Sequence, residues 1–319
     1  MLSPRFILSV LSVGLTVSGA TSGQEFPSKP IRITAAGVGG ASDTAARVLA
    51  PGLTESLGRQ VIVDNRPGGL LAIETVSKAA PDGYTLLIEN TGFWVGPLLR
   101  NVSYDPIRDF SPISLTNRQP NMRVVHPSMP VKSVKDLVAL AKARPGELNY
   151  MSAGVGISAH LATELFASLT GVKLVHVPYK GSAQGLTDLV GGQIQLAFPN
   201  MTAASPFVKS GRLRALAIIT AEPSALAPGL PTVSASGVPG YEAVSIQGLF
   251  APARTPAAVI SRLSQETARV LSRPDVKEKF NNSGSDVVGS TPEQFAAAIN
   301  ADIARLEKLI KDAGISVKQ

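Results

Sequence analysis

The sequence predicts an α/β protein of two lobes, each a mainly parallel sheet flanked by helices, with a ligand cleft between them. Three observations carry this. The chain has 319 residues, room for two domains of roughly 150 residues each. Short apolar stretches alternate with segments of helical periodicity, the order produced by parallel strands joined through crossover helices. The last predicted helices lack enough strands to form a sheet of their own. The middle of the chain therefore reads as a lobe inserted into an outer one, with residues 24–125 and 245–319 as lobe 1 and 126–244 as lobe 2.

The first strand is Pro30-Ile31-Arg32-Ile33-Thr34-Ala35, followed by a Gly-rich turn. Ser42 and Asp43 are N-cap residue types before a helix over 45–57. Residues 61–63 form a second strand, Asn65-Arg66-Pro67-Gly68-Gly69 a turn and 71–79 a helix. Pro81-Asp82-Gly83 closes that helix before a third strand over 84–88. In the second unit, Ser133 and Asp136 form a capping-box pattern opening a helix to residue 143, stopped by Pro145-Gly146. Strands follow over 148–152, 172–177, 194–198 and 213–219, with helices over 158–169, 182–190 and 203–210 between them. A Pro- and Gly-rich loop over 223–239 leads to an extended segment over 244–251 and helices over 256–271, 275–281 and 292–311. The extended segments 123–126 and 244–251 bracket the middle unit and are expected to be the two crossings of a hinge.

Composition narrows the function. Hydrophobic residues make up 44% of the chain and the mean hydropathy is +0.18, so there is material for a sizeable core. The absence of Cys excludes a disulfide framework, thiolate metal sites, a Cys nucleophile and a lipid-bearing N-terminal Cys. Only His126, His160 and His176 are available for a His-based metal centre. The net charge of +7 is scattered and aromatics are 5%, which argues against nucleic-acid binding. No metal or cofactor is expected. At the N-terminus, Arg5, an apolar run over 7–17 and Ser18-Gly19-Ala20 form the pattern of a secretory signal, with residues 1–20 removed on export. That run is shorter than the ~20 residues of a membrane-spanning helix.

Two strand-to-helix turns carry the binding argument. The first is Ala36-Gly37-Val38-Gly39-Gly40-Ala41-Ser42 and the second Ser152-Ala153-Gly154-Val155-Gly156-Ile157-Ser158. Such turns offer unpaired backbone N–H groups and the positive end of a helix dipole, so they attract anions. Glycine lets an anion approach, and Ser42 and Ser158 are placed to add hydroxyl donors. A single turn of this kind is ordinarily a tight turn and nothing more; two in matching positions of two lobes point to a cleft for an organic anion. The first is neither a dinucleotide fingerprint, lacking its third glycine, nor a P-loop. Phe93 and Trp94 follow a strand end, where they wall a pocket or pack a core, and Phe93 is expected at the ligand. Tyr179, in His176-Val177-Pro178-Tyr179-Lys180-Gly181, is expected near the cleft. A hydrolase using Ser158 and His160 is the enzymatic alternative, although no Gly-x-Ser-x-Gly elbow is present.

These motifs resemble those of the periplasmic receptors of tripartite tricarboxylate transporters, also called the Bordetella uptake gene receptor family. The likeness runs from Phe26-Pro27-Ser28-Lys29-Pro30-Ile31 to Ala313-Gly314-Ile315. It passes through Asp64-Asn65-Arg66-Pro67-Gly68-Gly69, Pro81-Asp82-Gly83-Tyr84, Tyr104-Asp105-Pro106, His176-Val177-Pro178-Tyr179-Lys180-Gly181 and Leu249-Phe250-Ala251-Pro252-Ala253. The resemblance implies a type II-like periplasmic binding protein, a monomer that closes on a small carboxylate and delivers it to inner-membrane permease subunits. A sensor that hands the loaded receptor to a signalling partner is a compatible role. It further implies that Gly37, Val38, Gly39, Gly40 and Ser42 of the first turn, and Ser152, Gly154, Gly156 and Ser158 of the second, grip the carboxylates, largely through backbone N–H groups. Asn200 and Gln247 resemble cleft-lining positions. The chain departs from the family at Ala35-Ala36-Gly37-Val38-Gly39-Gly40, where members usually read Pro-Phe-x-Pro-Gly-Gly, and at Ile246, where a Trp is frequent. Loss of the prolines loosens the turn and changes its apolar wall.

Overall fold

The computed structural model describes residues 26–312 except 39, 67–68, 100, 153, 155–157, 180–181, 221 and 225. The expected signal peptide over 1–20 lies outside the described residues, as do Gly39 and Gly156.

The chain begins with β1 (Ile31–Ala35), α1 (Ala41–Leu57), β2 (Val61–Asn65), α2 (Gly69–Ser77), β3 (Thr85–Asn90), α3 (Thr91–Leu99) and β4 (Phe110–Gln119). In β1, Ile31 and Ile33 are buried and Arg32 between them is exposed, the two-residue alternation of a strand. Helix α1 starts after Gly40 in extended conformation and stops at Gly58, whose left-handed backbone (φ 66°) returns its N–H to Thr54 O at 3.1 Å. The chain then passes through Pro120 and Asn121 into β5 (Met122–Val125), α4 (Val134–Ala143), β6 (Asn149–Ser152), α5 (Ser158–Thr170), β7 (Val175–Pro178), α6 (Ser182–Val190), β8 (Leu196–Ala197), α7 (Met201–Lys209) and β9 (Arg214–Ile218). It returns through β10 (Ser245–Pro252), α8 (Ala257–Ser272), α9 (Pro274–Asn282), β11 (Asp286–Val287) and α10 (Pro292–Asp312).

Two sheets result, in the orders β11-β4-β10-β3-β1-β2 and β7-β6-β8-β5-β9. Strands β1, β2 and β3 run parallel, as do β6, β7 and β8, whereas β10 and β5 are antiparallel to both of their neighbours. The reversal follows from the crossings. A chain that leaves one sheet at its carboxyl edge enters the facing sheet at that same edge and must run away from it. Strand β5, expected in lobe 1, therefore belongs to the second sheet. The passage falls at Pro120–Asn121, not after residue 125, and the segments expected as crossings are strands within the sheets.

Each sheet is covered on both faces. One face of the first packs on α1, α8 and α9 through Leu49, Leu53, Leu263, Val270 and Phe280. The other packs on α2, α3 and α10 through Ile73, Trp94, Phe295 and Ile299. The second sheet is sandwiched in the same way, with Leu137, Phe166 and Tyr241 on one side and Leu186, Leu189 and Met201 on the other. Leu161 of α5 joins the α10 cluster, so apolar contact spans the two lobes. In β10, Gly248 sits where a Cβ would lie 2.2 Å from the Phe295 ring and 2.7 Å from Ser114 O; only glycine permits that approach.

Candidate ligand site between the lobes

The carboxyl ends of the parallel strands face each other across a cavity of about 140 Å³ lined from both lobes. Its wall includes Ala41, Asn90, Gln119 and Ser245 from the first sheet and Ser152, Ser158, Ser182 and Asn200 from the second, with Asn121 at the crossing. Met151, Ala159, Phe198 and Pro199 supply the apolar part. Five helices begin here. Ala41 opens α1, Asn90 precedes α3, Ser158 opens α5, Ser182 opens α6 and Asn200 precedes α7. Each start contributes N–H groups without an intrahelical acceptor and the positive end of a dipole. Among the described residues no Lys or Arg lines the cavity, so its attraction for anions is built from the backbone.

Neighbouring residues hold these starts in place. Gly40 caps α1 with no side-chain hydrogen bond. Asn65 Nδ2 donates to Ala36 O at 3.1 Å and to Asp43 Oδ1 at 2.8 Å, while Arg47 donates to the same Asp43 oxygen at 2.8 Å. This ties the first turn to β2. Asn90 Oδ1 accepts from Gly92 N at 2.9 Å, and Asn200 Oδ1 from Ala203 N at 2.8 Å, so both act as N-caps. Beneath the second turn, Ser152 Oγ donates to Gly154 O at 2.7 Å and accepts from Gly154 N at 3.3 Å. It also lies 2.6 Å from His176 Nε2; with the hydroxyl proton on Gly154 O, that ring nitrogen is the donor. His176 stacks on His160 at 4.2 Å, and Tyr150 stacks on His176 at 4.8 Å. Burial pushes both histidines down to about 4, so they are neutral near pH 7 and work as a packed brace.

Of the residues singled out in the sequence, Ser152, Ser158 and Asn200 line the cavity, and Gly40 adjoins lining Ala41. Gly37 accepts from Gly40 N at 3.3 Å, and Val38, 77% exposed, forms the tip of the first turn. Gly154, beside Ser152, holds φ at 146°. Three expectations are corrected. Ser42 is buried and gives its hydroxyl to Glu89 Oε2 at 3.3 Å while accepting from Gln247 Nε2 at 3.2 Å. Phe93 lies in an aromatic core with Tyr104, Phe110 and Phe250. Tyr179 turns its hydroxyl to Asp188 at 2.8 Å. Sequence reasoning missed Asn90, Gln119, Asn121, Ser182 and Ser245; Asn90 and Ser182, strand-end or loop polar residues directly before or opening a helix, carried a readable signal. Ser158 and His160 are two apart on α5 and do not face each other. With His160 pinned against His176, they make no nucleophile–base pair.

The glutamate bonded to Ser42 is itself unusual. Glu89 is 5% exposed, accepts from Asn90 N at 3.3 Å, and has no partner for Oε1 among the described residues. Burial raises its carboxyl to about 7 against the opposing hydrogen bonds from Asn90 N–H and Ser42.

Residues 45–315 match the family described as tripartite tricarboxylate transporter family receptor. Among solved structures, R. palustris Rpa4515 with adipate is 37% identical, with a TM-score of 0.83 over 92% of this chain and 100% of that one. The periplasmic binding protein BugD is 30% identical, with a TM-score of 0.79 over 92% and 100%. MatC from Rhodopseudomonas palustris with bound malate is 27% identical, with a TM-score of 0.77 over 89% and 100%.

Proposed function

The chain belongs to the tripartite tricarboxylate transporter receptor family, a family of binding receptors and not of enzymes, and from that premise we propose that it captures a short dicarboxylate in the periplasm for delivery to a tripartite membrane permease. The observation that carries this reading is the convergence of five helix starts on one interlobe cavity without a lining cation. Two carboxylates at opposite ends of a short chain would each meet N–H donors from a different lobe. The cavity of about 140 Å³ holds roughly five waters' share of liquid volume, at ~30 Å³ each, which suits a ligand of the size of malate or adipate. Those two acids are bound by relatives of the same fold.

Crossings at Pro120–Asn121 and immediately before Ser245 leave two short connections about which the lobes can close. Ligand that touches both lobes favours the closed state because only there are both sets of donors in reach. Export rests on the signal pattern over residues 1–20, and no described helix is long and apolar enough to cross a membrane. Calorimetric titration of the purified chain with malate, succinate and adipate tests the reading, with the neutral diamide of adipate as control. Stoichiometric binding of at least one acid, without product and without binding of the diamide, is expected. Failure of every acid to bind contradicts it.

A further inference from the structure

Arg123 lies on β5, inside the second sheet, and is fully buried. Its guanidinium carbon is 3.6 Å from the centroid of the Phe166 ring and 3.5 Å from that of Phe198. Nε, Nη1 and Nη2 have no hydrogen-bond acceptor among the described residues, and no ion pair reaches them. This differs from three other buried charged side chains. Asp43, Glu266 and Asp302 each have an arginine within 3.4 Å. A buried charge normally requires a counter-charge, and the two aromatic faces meet only part of that need. Burial lowers Arg123 to about 9, so it is still a cation at neutral pH. The titratable groups packed nearby each have another partner, and no carboxylate among the described residues bonds the guanidinium. Tyr241 gives its hydroxyl proton to Ala162 O, Glu164 accepts from Tyr150, His160 is stacked on His176, and Arg214 donates to Met129 O and Val131 O.

The missing anion has an obvious place. Phe198, whose buried ring lies over the guanidinium, belongs to the wall of the interlobe cavity, and so does Asn121, which donates to the Phe198 backbone carbonyl at 3.0 Å. Asn121, at the crossing, comes two residues before Arg123 of β5, which puts their Cα atoms roughly 7 Å apart. We propose that Arg123 is the positioning cation of the site: from behind the cavity wall it attracts the ligand's carboxylate without touching it, and the bound acid is its counter-charge. This rests on the carboxylate-receptor reading and deepens it. A cavity with no lining cation is thus given a fixed positive field from behind its wall. In general, a unit charge separated from a carboxylate by on the order of 8 Å in an effective dielectric of about 20 strengthens binding about 30-fold.

The test uses the full chain and adipate as probe, with inorganic phosphate as a second anion. R123M, which keeps the volume and removes the charge, is expected to bind adipate about 30-fold more weakly while its ligand-free form melts no lower than the wild type. R123K is expected to bind near wild-type strength at low pH and to weaken towards R123M as pH rises and the buried ammonium loses its proton; a purely structural role gives no such profile. If R123M does not fold, the R123K profile decides alone. Wild-type affinity in R123M, or affinity in R123K that does not change with pH, overturns the inference. A wild type that binds no dicarboxylate but is stabilised by phosphate, with the effect lost in R123M, contradicts the dicarboxylate reading and supports this one. No anion response in the wild type overturns both.

Discussion

Replacing Glu89 by Gln should change how stability depends on pH. Glu89 is buried beside the α1 start, holding Ser42 and the Asn90 N–H, and burial raises its carboxyl from 4.5 to about 7. Between those values the unfolded chain has released the proton and the folded chain still holds it. The folded state binds more protons there, so this group's contribution to stability is complete below pH 4.5, falls through the window and levels off above pH 7. At about 1.36 kcal/mol per pH unit, the span corresponds to roughly 3 kcal/mol. Gln cannot ionise, so the stability difference between E89Q and wild type, measured by urea denaturation without ligand, should rise by roughly 3 kcal/mol in favour of E89Q between pH 4 and pH 8. A difference constant to within about 1 kcal/mol across that range would refute the reasoning, because it would mean that Glu89 ionises as if in water. An ionised Glu89 also opposes an incoming carboxylate at the same helix start, so E89Q should bind adipate more tightly than wild type above pH 7 and equally below pH 5.

Four further substitutions probe the scaffold. S152A removes the hydroxyl that links His176 to both backbone groups of Gly154 and should weaken dicarboxylate binding about 10-fold by calorimetry, from the loss of one net hydrogen bond in a preformed turn. N200A deletes the N-cap of α7; thermal denaturation should show a loss of about 1 kcal/mol, with binding weakened because the helix start frays. G248A places a methyl group 2.2 Å from the Phe295 ring and 2.7 Å from Ser114 O, so overpacking should cost at least about 2 kcal/mol in denaturant titrations, whereas G171A, which meets no atom within 4 Å, tests the separate cost of a left-handed backbone.

How far the sequence could be read follows from where the determining contacts lie. The run from β1 to β3 was legible because buried and exposed residues alternate at the strand or helix period and glycines or prolines mark the ends. Helix α3 was not: Gly92, Gly96 and Pro97 are poor helix formers, and the helix stands on tertiary packing of Phe93 and Trp94, with Trp94 Nε1 bonded to Asp302 at 2.9 Å. Strand β4 was hidden because it is covered on both faces and buries five consecutive residues, 113–117, so no alternation marks it. The crossing was misplaced for a related reason, since Met122–Val125 looks equally extended on either side of the boundary. At the site, the second strand-to-helix turn pointed to Ser152 and Ser158, and the family resemblance alone pointed to Asn200; all three line the cavity. Ser42 has the same local signature, but its partner Glu89 is 47 residues away, and no local pattern records that. Arg123 is the strongest case. A charge in an apolar strand gives no hint that two aromatic rings will close over it.

The central claim is that helix starts from both lobes hold the two ends of one small acid. A crystal structure of the chain with bound adipate tests it most directly. One carboxylate should lie within about 3 Å of N–H groups at the start of α1 or α3, and the other equally close to those of α5, α6 or α7. An adipate lodged elsewhere, or held at both ends by side-chain cations, would contradict the account.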